Sequence, residues 1–544
     1  MKLLSPLALG SGEASNRVMF GPHVTNLGDD DRRFTQRHTA YYARRASGGC
    51  GVIVTEGASV HDSDWPYERA PLAQRCSAGW REIADACHAH GSLVIASLDH
   101  AGGQGSSAYS QLPLWAPSRV PEVNSRETPK WMEPGDIESV LAGFAAAAEI
   151  AVAAGCDGVE INAGQHSLVR QFLSGLTNHR DDPWGQDRLL FVRQAIAAVR
   201  PTTALVGLRL SCDELAPWAG MTPDMAPEIA AALVTAGVDY LVVVRGSIYT
   251  ADKTRPDFHE PTGFNIDVCR AVRAQVPGTP VFLQGSIVDC EQAEWAVSEA
   301  ICDGVEMTRA QIAEPDLVAK LRSDHADTIR PCIRCNQTCQ VRDVRNPVVS
   351  CVGEPSAGRE TEDPEWYAPT STPRNVVVIG GGVAGLETAR VAATRGHRVV
   401  VVEKLARVGG IAAIAGPAAP LAAWLEAESR RLGVEITTNA TAIPRGDVTI
   451  QCTGSQPGRR EYEVVDPSMV LDIADVRRGT ALPAGAIALF DPIGGPIGVA
   501  LADELGERAI LITQDHIAGN ELSRTGDLAP ANVRLAQRGV TIER

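Results

Sequence analysis

The sequence predicts an α/β protein: an N-terminal (β/α)8 barrel followed by a Rossmann-like dinucleotide-binding region. Three observations lead there. Short apolar runs alternate with amphipathic helical stretches over roughly the first 330 residues, four cysteines follow directly, and a glycine fingerprint opens at Gly380.

The apolar runs number eight: Val18 to Val24, Gly51 to Thr55, Leu93 to Leu98, Gly158 to Asn162, Ala204 to Leu210, Tyr240 to Val244, Val281 to Gly285 and Gly304 to Thr308. A helical stretch follows each, clearest in DIESVLAGFAAAAEIAVAAG and TPDMAPEIAAALVTAG, where aspartate or proline opens the helix and glycine closes it. Eight such units imply a closed barrel, whose chemistry gathers on the loops at the C-terminal strand ends.

The cysteines Cys332, Cys335, Cys339 and Cys351 have the spacing C-x2-C-x3-C-x11-C. Three thiolates on one tight loop and a fourth returning from a short excursion suit an iron–sulfur cubane. A structural zinc knuckle is the alternative the same ligands permit, and the flanking regions favour iron.

Composition narrows the partners. A chain of 544 residues divides into about three or four domains, and 44% hydrophobic content with 51 glycines fits buried α/β sheets. A formal net charge of −16 gives no electrostatic support for nucleic acid or anionic membranes, so small molecules are the expected partners. The opening MKLLSPLALGSGEASNRV is too short and broken for a signal peptide or membrane span, so a cytoplasmic location is expected. Thirteen cysteines in that setting indicate reduced thiols and metal ligation.

After a polar, proline-containing stretch from about Glu354 to Pro373, NVVVIGGGVAGLETARVAATRGHRVVVVEK reads as strand, turn, helix and strand. Gly380, Gly382 and Gly385 make G-x-G-x-x-G, and Glu403 ends the next strand where a ribose hydroxyl is gripped. The reading from the residues is a dinucleotide site, which the family resemblance given below makes FAD or another ADP moiety. A domain that keeps the fold without the ligand is the alternative. Further on, AIALFDPIGGPIGVALADELGERAILIT occupies the place of an NAD(P)H unit, with Gly494, Gly495 and Gly498 in an irregular arrangement that makes direct NAD(P)H binding doubtful. The domains are therefore 1–330 barrel, 331–373 cysteine segment and linker, 374–460 FAD/ADP-binding region and 461–544 partial NAD(P)-binding-like region.

The segments NRVMFGPHVT, IVTEG, DGVEINAGQHSLVRQFLSGLTNHRDDPWG, VGLRLS and GVEMTRAQIAEPDLVAK resemble the flavin-binding segments of the Old Yellow Enzyme family. With the cysteines and the fingerprint, the similarity is to its 2,4-dienoyl-CoA reductase and trimethylamine dehydrogenase types, and some details resemble a mycofactocin-associated subgroup. The resemblance spans nearly the whole chain. It implies FMN in the barrel and a [4Fe-4S] cluster that passes electrons between FMN and FAD. It implies Pro22 and His23 on the flavin face, Gly57 near the ring, and Arg209 beside flavin N1 and the C2 carbonyl. It also implies a phosphate site at Gly285, Ser286, Thr308 and Arg309. A surface salt bridge is the alternative for Arg209 or Arg309 taken singly.

The sequence departs from the family at three positions. Ser97 stands for the glutamine that contacts the flavin pyrimidine, Ser167 for the catalytic tyrosine, and Val24 for the cysteine of covalent flavin attachment, so FMN is expected to be noncovalent. The chain also stops short of where the family ends, which weakens the FAD expectation. Reduction of an activated double bond needs a proton donor, and His100, His166 and Tyr249 are the candidates. His166 is read either as that donor or as a loop histidine that hydrogen-bonds without titrating. Oxidation of an amine needs no carbon protonated. Reduction with NAD(P)H is thus the first expectation, with amine or N-methyl dehydrogenation to an external electron carrier second and a non-catalytic electron-transfer subunit third. Self-association into a homo-oligomer is also expected.

Overall fold

The computed structural model describes every residue except 341–346, 456, 457, 459 and 461. The chain forms two compact units, Met1–Thr361 and Glu362–Arg544. The first contains the cysteine segment as well as the barrel.

Eight parallel strands close the barrel: β1 (Val18–Phe20), β2 (Val52–Val54), β3 (Leu93–Asp99), β4 (Gly158–Ala163), β5 (Val206–Ser211), β6 (Tyr240–Val244), β7 (Val281–Leu283) and β8 (Gly304–Glu306). Each pairs with the next, and β8 pairs back onto β1 through Val305 opposite Val18. Several strands end earlier than their apolar runs. β1 stops at Phe20, and the Gly21 N–H donates to Thr308 Oγ1 at 2.9 Å instead of continuing the ladder. Thr308 itself begins the helix Thr308–Ala313. Helix Pro134–Ala153 starts before its apolar run, where Glu133 and Asp136 form a reciprocal cap.

The strands bury both faces. Outward residues pack against the helices, while Met19, Val52, Val54, Ile95, Val242, Val244 and Phe282 form an apolar cluster between the strands. Polar groups join this interior, with Glu160, Arg209, Glu306 and Tyr240 all buried. Gly207 makes room for the last of these, since a Cβ there would lie 2.1 Å from Tyr240 Cζ.

In the second unit a four-stranded parallel sheet orders β11 (Glu435–Thr437), β10 (Arg398–Val402), β9 (Asn375–Ile379) and β12 (Val448–Gln451). A second, three-stranded parallel sheet holds β13 (Ile487–Asp491), β14 (Ala509–Thr513) and β15 (Thr541–Glu543). The irregular glycines of this part do open a helix, Pro496–Leu505. Among the described residues no helix is long and apolar enough to cross a membrane.

Gly207→Ala drives a methyl into the Tyr240 ring, and an expected loss of about 1–3 kcal/mol is measurable by urea unfolding.

Candidate active site

A cavity opens at the C-terminal ends of the barrel strands. Ten of the residues expected there line it: Pro22, His23, Gly57, Ser97, His166, Arg209, Gly285, Ser286, Thr308 and Arg309.

Arg209 is the electrostatic centre. Its Nε donates to Glu160 at 2.9 Å and its Nη2 to Glu306 at 2.7 Å. Both carboxylates raise its already high pKa against the burial that opposes them, so it is a buried, doubly paired cation rather than a surface salt bridge. Burial pushes the Glu160 carboxyl up, while Arg209 and the Tyr240 hydroxyl, 3.0 Å away, hold it back.

At another part of the wall Arg309 donates to Ser286 Oγ at 2.6 Å and to Asn336 Oδ1 at 2.7 Å. Gly285 and Ser286 have φ of +130° and +61°, which turns the chain sharply after β7. A rigid guanidinium beside such a turn is a donor set that suits a phosphate.

The three other expected catalytic residues are engaged elsewhere. Ser167 caps the short helix Leu168–Leu173, accepting from the Arg170 N–H at 3.1 Å and donating to the Gly164 carbonyl at 3.0 Å. His100 is sealed below the cavity wall, and burial pushes it down to about 3. Tyr249 sits in a partly exposed turn. His166 does line the cavity, but burial and the cations Arg255 and Arg170 push it down to about 3, so it is a neutral imidazole. Its Nδ1 is buried and has no hydrogen-bond partner among the described residues. His23 is likewise pushed down by burial; its ring nitrogens face the Gly21 carbonyl at 3.0 Å and the Tyr41 hydroxyl at 2.9 Å.

Residues that sequence reasoning missed are acidic. Asp99 follows Ser97 by two positions on β3 and shares its inward face, as strand alternation requires. Burial, then the neighbouring Asp64, pushes the Asp99 carboxyl up to about 6. Asp64 and Tyr67 reach the same wall from the loop after β2, where nothing in the sequence marks them, and Ser59 reaches it from a two-residue strand, Ala58–Ser59, that sets it opposite Asp99. Asp64 is also pushed up by burial, despite hydrogen bonds from Ser59 Oγ at 2.7 Å and the Ala101 N–H at 3.1 Å.

Cys339 lines the cavity too, beside Asn336 and Gln340. Burial pushes its thiol up to about 12 and that of Cys351 to about 11, and raises Cys335; the Cys332 sulfur adds to each rise. The four thiols thus share one electrostatic neighbourhood, although the excursion between the last two passes through residues 341–346, outside the described residues.

The second unit carries its own site. Gly380 turns with φ +102°, and Gly385 lies so close that a Cβ would fall 1.9 Å from the Gly380 carbonyl. Gly382 faces open space at the start of helix Val383–Thr394. Glu403 accepts from the Gly381 and Leu405 N–H groups, each at 2.8 Å. A tight turn, an open glycine and a close helix–strand contact fit a dinucleotide pyrophosphate at the helix N-terminus.

A barrel with this cavity, continuous with a dinucleotide-binding fold, defines a flavin-dependent oxidoreductase. Residues 2–328 match the NADH:flavin oxidoreductase / NADH oxidase family, and residues 345–465 match the pyridine nucleotide-disulphide oxidoreductases. The chain belongs to the NADH:flavin oxidoreductase / NADH oxidase family, of the Old Yellow Enzyme and dienoyl-CoA reductase type. It is similar to the N,N-dimethylglycine/sarcosine dehydrogenase of Chromohalobacter salexigens, 31% identical over 94% of this chain and 78% of that one. It is also similar to the cinnamate reductase of Clostridium sporogenes, 28% identical over 85% of this chain and 76% of that one. A solved 2-naphthoyl-CoA reductase shares the fold at a TM-score of 0.93 and 22% identity, covering 99% of this chain and 87% of that one.

The wall fits FMN, with the orphaned His166 Nδ1 and the Arg309 turn open to a ligand. Arg209→Met would leave Glu160 and Glu306 facing each other without a cation, a loss of roughly 3–5 kcal/mol expected in chemical unfolding together with lower FMN content.

Proposed function

We propose that the barrel cavity oxidises a small amine or N-methylated amino acid, with electrons passing to a cluster held by Cys332, Cys335, Cys339 and Cys351. The observation that carries this reading is the Asp64–Asp99 pair on the cavity wall. Among the described residues Asp99 receives hydrogen bonds from neutral donors, the His100 N–H at 2.8 Å and the Asn162 side chain. A buried Asp64 carboxylate that repels a half-buried Asp99 carboxylate on the same wall is costly unless a cation joins them. A substrate ammonium is such a cation, and the similarity to a dimethylglycine/sarcosine dehydrogenase supports that choice.

Bound flavin would supply the two-electron acceptor for a C–H bond next to nitrogen. The chain's own residues would prepare the substrate: ionised Asp99 holds the ammonium and takes up its N–H proton, freeing the lone pair that pushes hydride out. Neutral His166 can hydrogen-bond without repelling the cation. Arg309, Ser286 and the turn at Gly285 would hold the flavin phosphate.

An iron–sulfur cluster, rather than zinc, is supported by the C-x2-C-x3-C-x11-C spacing of the thiols beside a flavin-type barrel. FAD would occupy the second unit at Gly380, Gly382, Gly385 and Glu403, and an external carrier would take the electrons onward.

A second reading, reduction of an activated double bond with NAD(P)H, is favoured by one feature of the same residue. A carboxyl pushed up to about 6 is an acid able to protonate a carbon near neutral pH. Anaerobic spectroscopy separates the two. Sarcosine or dimethylglycine should bleach the flavin while NADH leaves it oxidised; bleaching by NADH alone, reversed by an enoate, establishes reduction instead. Because the ionised carboxylate is the amine-binding form, affinity should fall roughly tenfold per pH unit as pH drops below about 6. Asp99→Asn should weaken binding at pH 8 and flatten that profile. Cys335→Ser should lose the bound iron and its broad visible absorbance while FMN stays; retained iron would overturn the ligand assignment.

A further inference from the structure

His100 and three residues around it form a chain of side-chain hydrogen bonds behind the cavity wall. The Gly102 N–H donates to His100 Nδ1 at 2.9 Å, which fixes that nitrogen as an acceptor and places the ring proton on Nε2. Nε2 lies 3.0 Å from Ser63 Oγ and donates to it. The Ser63 N–H, 3.1 Å away, fixes His61 Nδ1 as an acceptor in the same way. The Ser63 hydroxyl, 2.9 Å from that nitrogen, therefore points its own proton there. His61 Nε2 then donates to Ser139 Oγ at 2.7 Å. All donors run in one direction, from His100 through Ser63 and His61 to Ser139 on helix Pro134–Ala153. Each is satisfied only with both imidazoles neutral.

The two ends of the Ser63–His100 bond each adjoin a cavity carboxylate. Asp64 follows Ser63, and its N–H donates to the His61 carbonyl at 3.0 Å. Asp99 precedes His100, whose N–H donates to the Asp99 carboxylate. Ser63 is 7% exposed and His100 1% exposed, so water does not replace this bond.

We propose that Ser63 is a positioning residue which, clamped between His100 and His61, sets the separation of the carboxylates Asp64 and Asp99. This inference concerns the cavity wall alone and holds whether the enzyme oxidises an amine or reduces a double bond. Asp99 faces Asp64, Asn162, Arg209 and Tyr67, and of these Asp64 contributes the largest repulsion. His61 faces Asp62, Asp64 and Asp136. If the loop carrying Asp64 is freed, the repulsion relaxes and Asp99 ionises more easily.

The test is a pH titration of the FMN visible spectrum in the holoenzyme. The component that disappears in Asp99→Asn reports the Asp99 carboxyl. In Ser63→Ala its midpoint should move down by roughly half a pH unit or more, and Ser63→Thr, which keeps the hydroxyl, should restore it. An unmoved midpoint in Ser63→Ala with FMN bound would overturn the proposal, as would failure of Ser63→Thr to restore a shifted one. Should Ser63→Ala not fold, His61→Phe severs the same chain from outside the cavity and must give the same downward shift; an unchanged midpoint there refutes the clamp equally.

Discussion

The upper half of the barrel is organised around one buried cation. Arg209 cannot lose its proton, so wherever β5 places it, carboxylates must follow. Glu160 comes from β4 beside it and Glu306 from β8 across the interior. These partners dictate their neighbours in turn. Tyr240 caps Glu160, and Gly207 is bare because the Tyr240 ring fills its space. Gly21 is bare for the same reason against Glu306, where a Cβ would come within 2.2 Å of the carboxyl carbon. The end of β1, the turn at Pro22 and the helix start at Thr308 thus all answer to one guanidinium. The cavity floor is a preformed polar platform rather than a surface that a ligand must organise.

That constraint also explains what was legible in the sequence. Strand count, closure and the glycine fingerprint were readable because apolar runs and glycine spacing are one-dimensional signals. Strand ends were less so: the runs read as strands through Val24 and Gly285, but the hydrogen-bond ladders stop at Phe20 and Leu283, where Gly21 bonds to Thr308 and the chain turns at Gly285. Ser167 illustrates a different failure. Family position marks it as a site residue, but its hydroxyl is wholly used in starting a helix, which only the local backbone reveals. His100 and Asp99 show that period two outweighs residue type. Histidine is the more usual acid–base group, yet Ser97 faces the cavity, so Asp99 must share that face and His100 must not. Asp64 and Tyr67 come from an irregular loop and had no periodic signal at all.

The second unit obeys a simpler rule. Gly380, Gly382 and Gly385 each lack a side chain for a separate reason: a left-handed turn, open space at a helix start, and contact with a carbonyl. The C-terminal glycines follow no such spacing, yet β13, helix Pro496–Leu505 and β14 still form. A Cβ at Gly498 would lie 2.7 Å from an Asp491 carboxylate oxygen, so its bareness serves helix–strand packing. Fold and fingerprint are separable there, which is why irregular spacing predicted weak nucleotide binding but did not predict loss of the βαβ unit.

The cavity carboxylates stand in contrast to the floor beneath them. Arg209, Glu160 and Glu306 satisfy one another, so no ligand charge is needed for their stability. Among the described residues no arginine or lysine hydrogen-bonds to Asp99, and burial with the neighbouring Asp64 raises its pKa more than Arg209 lowers it. The chain holds a ready remedy, since an arginine at the wall could pair with it as Arg209 pairs with Glu160. Instead the nearby Arg32 guanidinium is turned to the Ala70 and Asp64 carbonyls. A chain that pairs Glu160 and Glu306 with one shared arginine and gives Asp64 and Asp99 no such ion pair among the described residues has left charge where a bound molecule can meet it. Local disagreement between stability and composition of this kind marks candidate functional positions, and under the proposed reading it separates the self-paired floor from the wall that would meet the substrate.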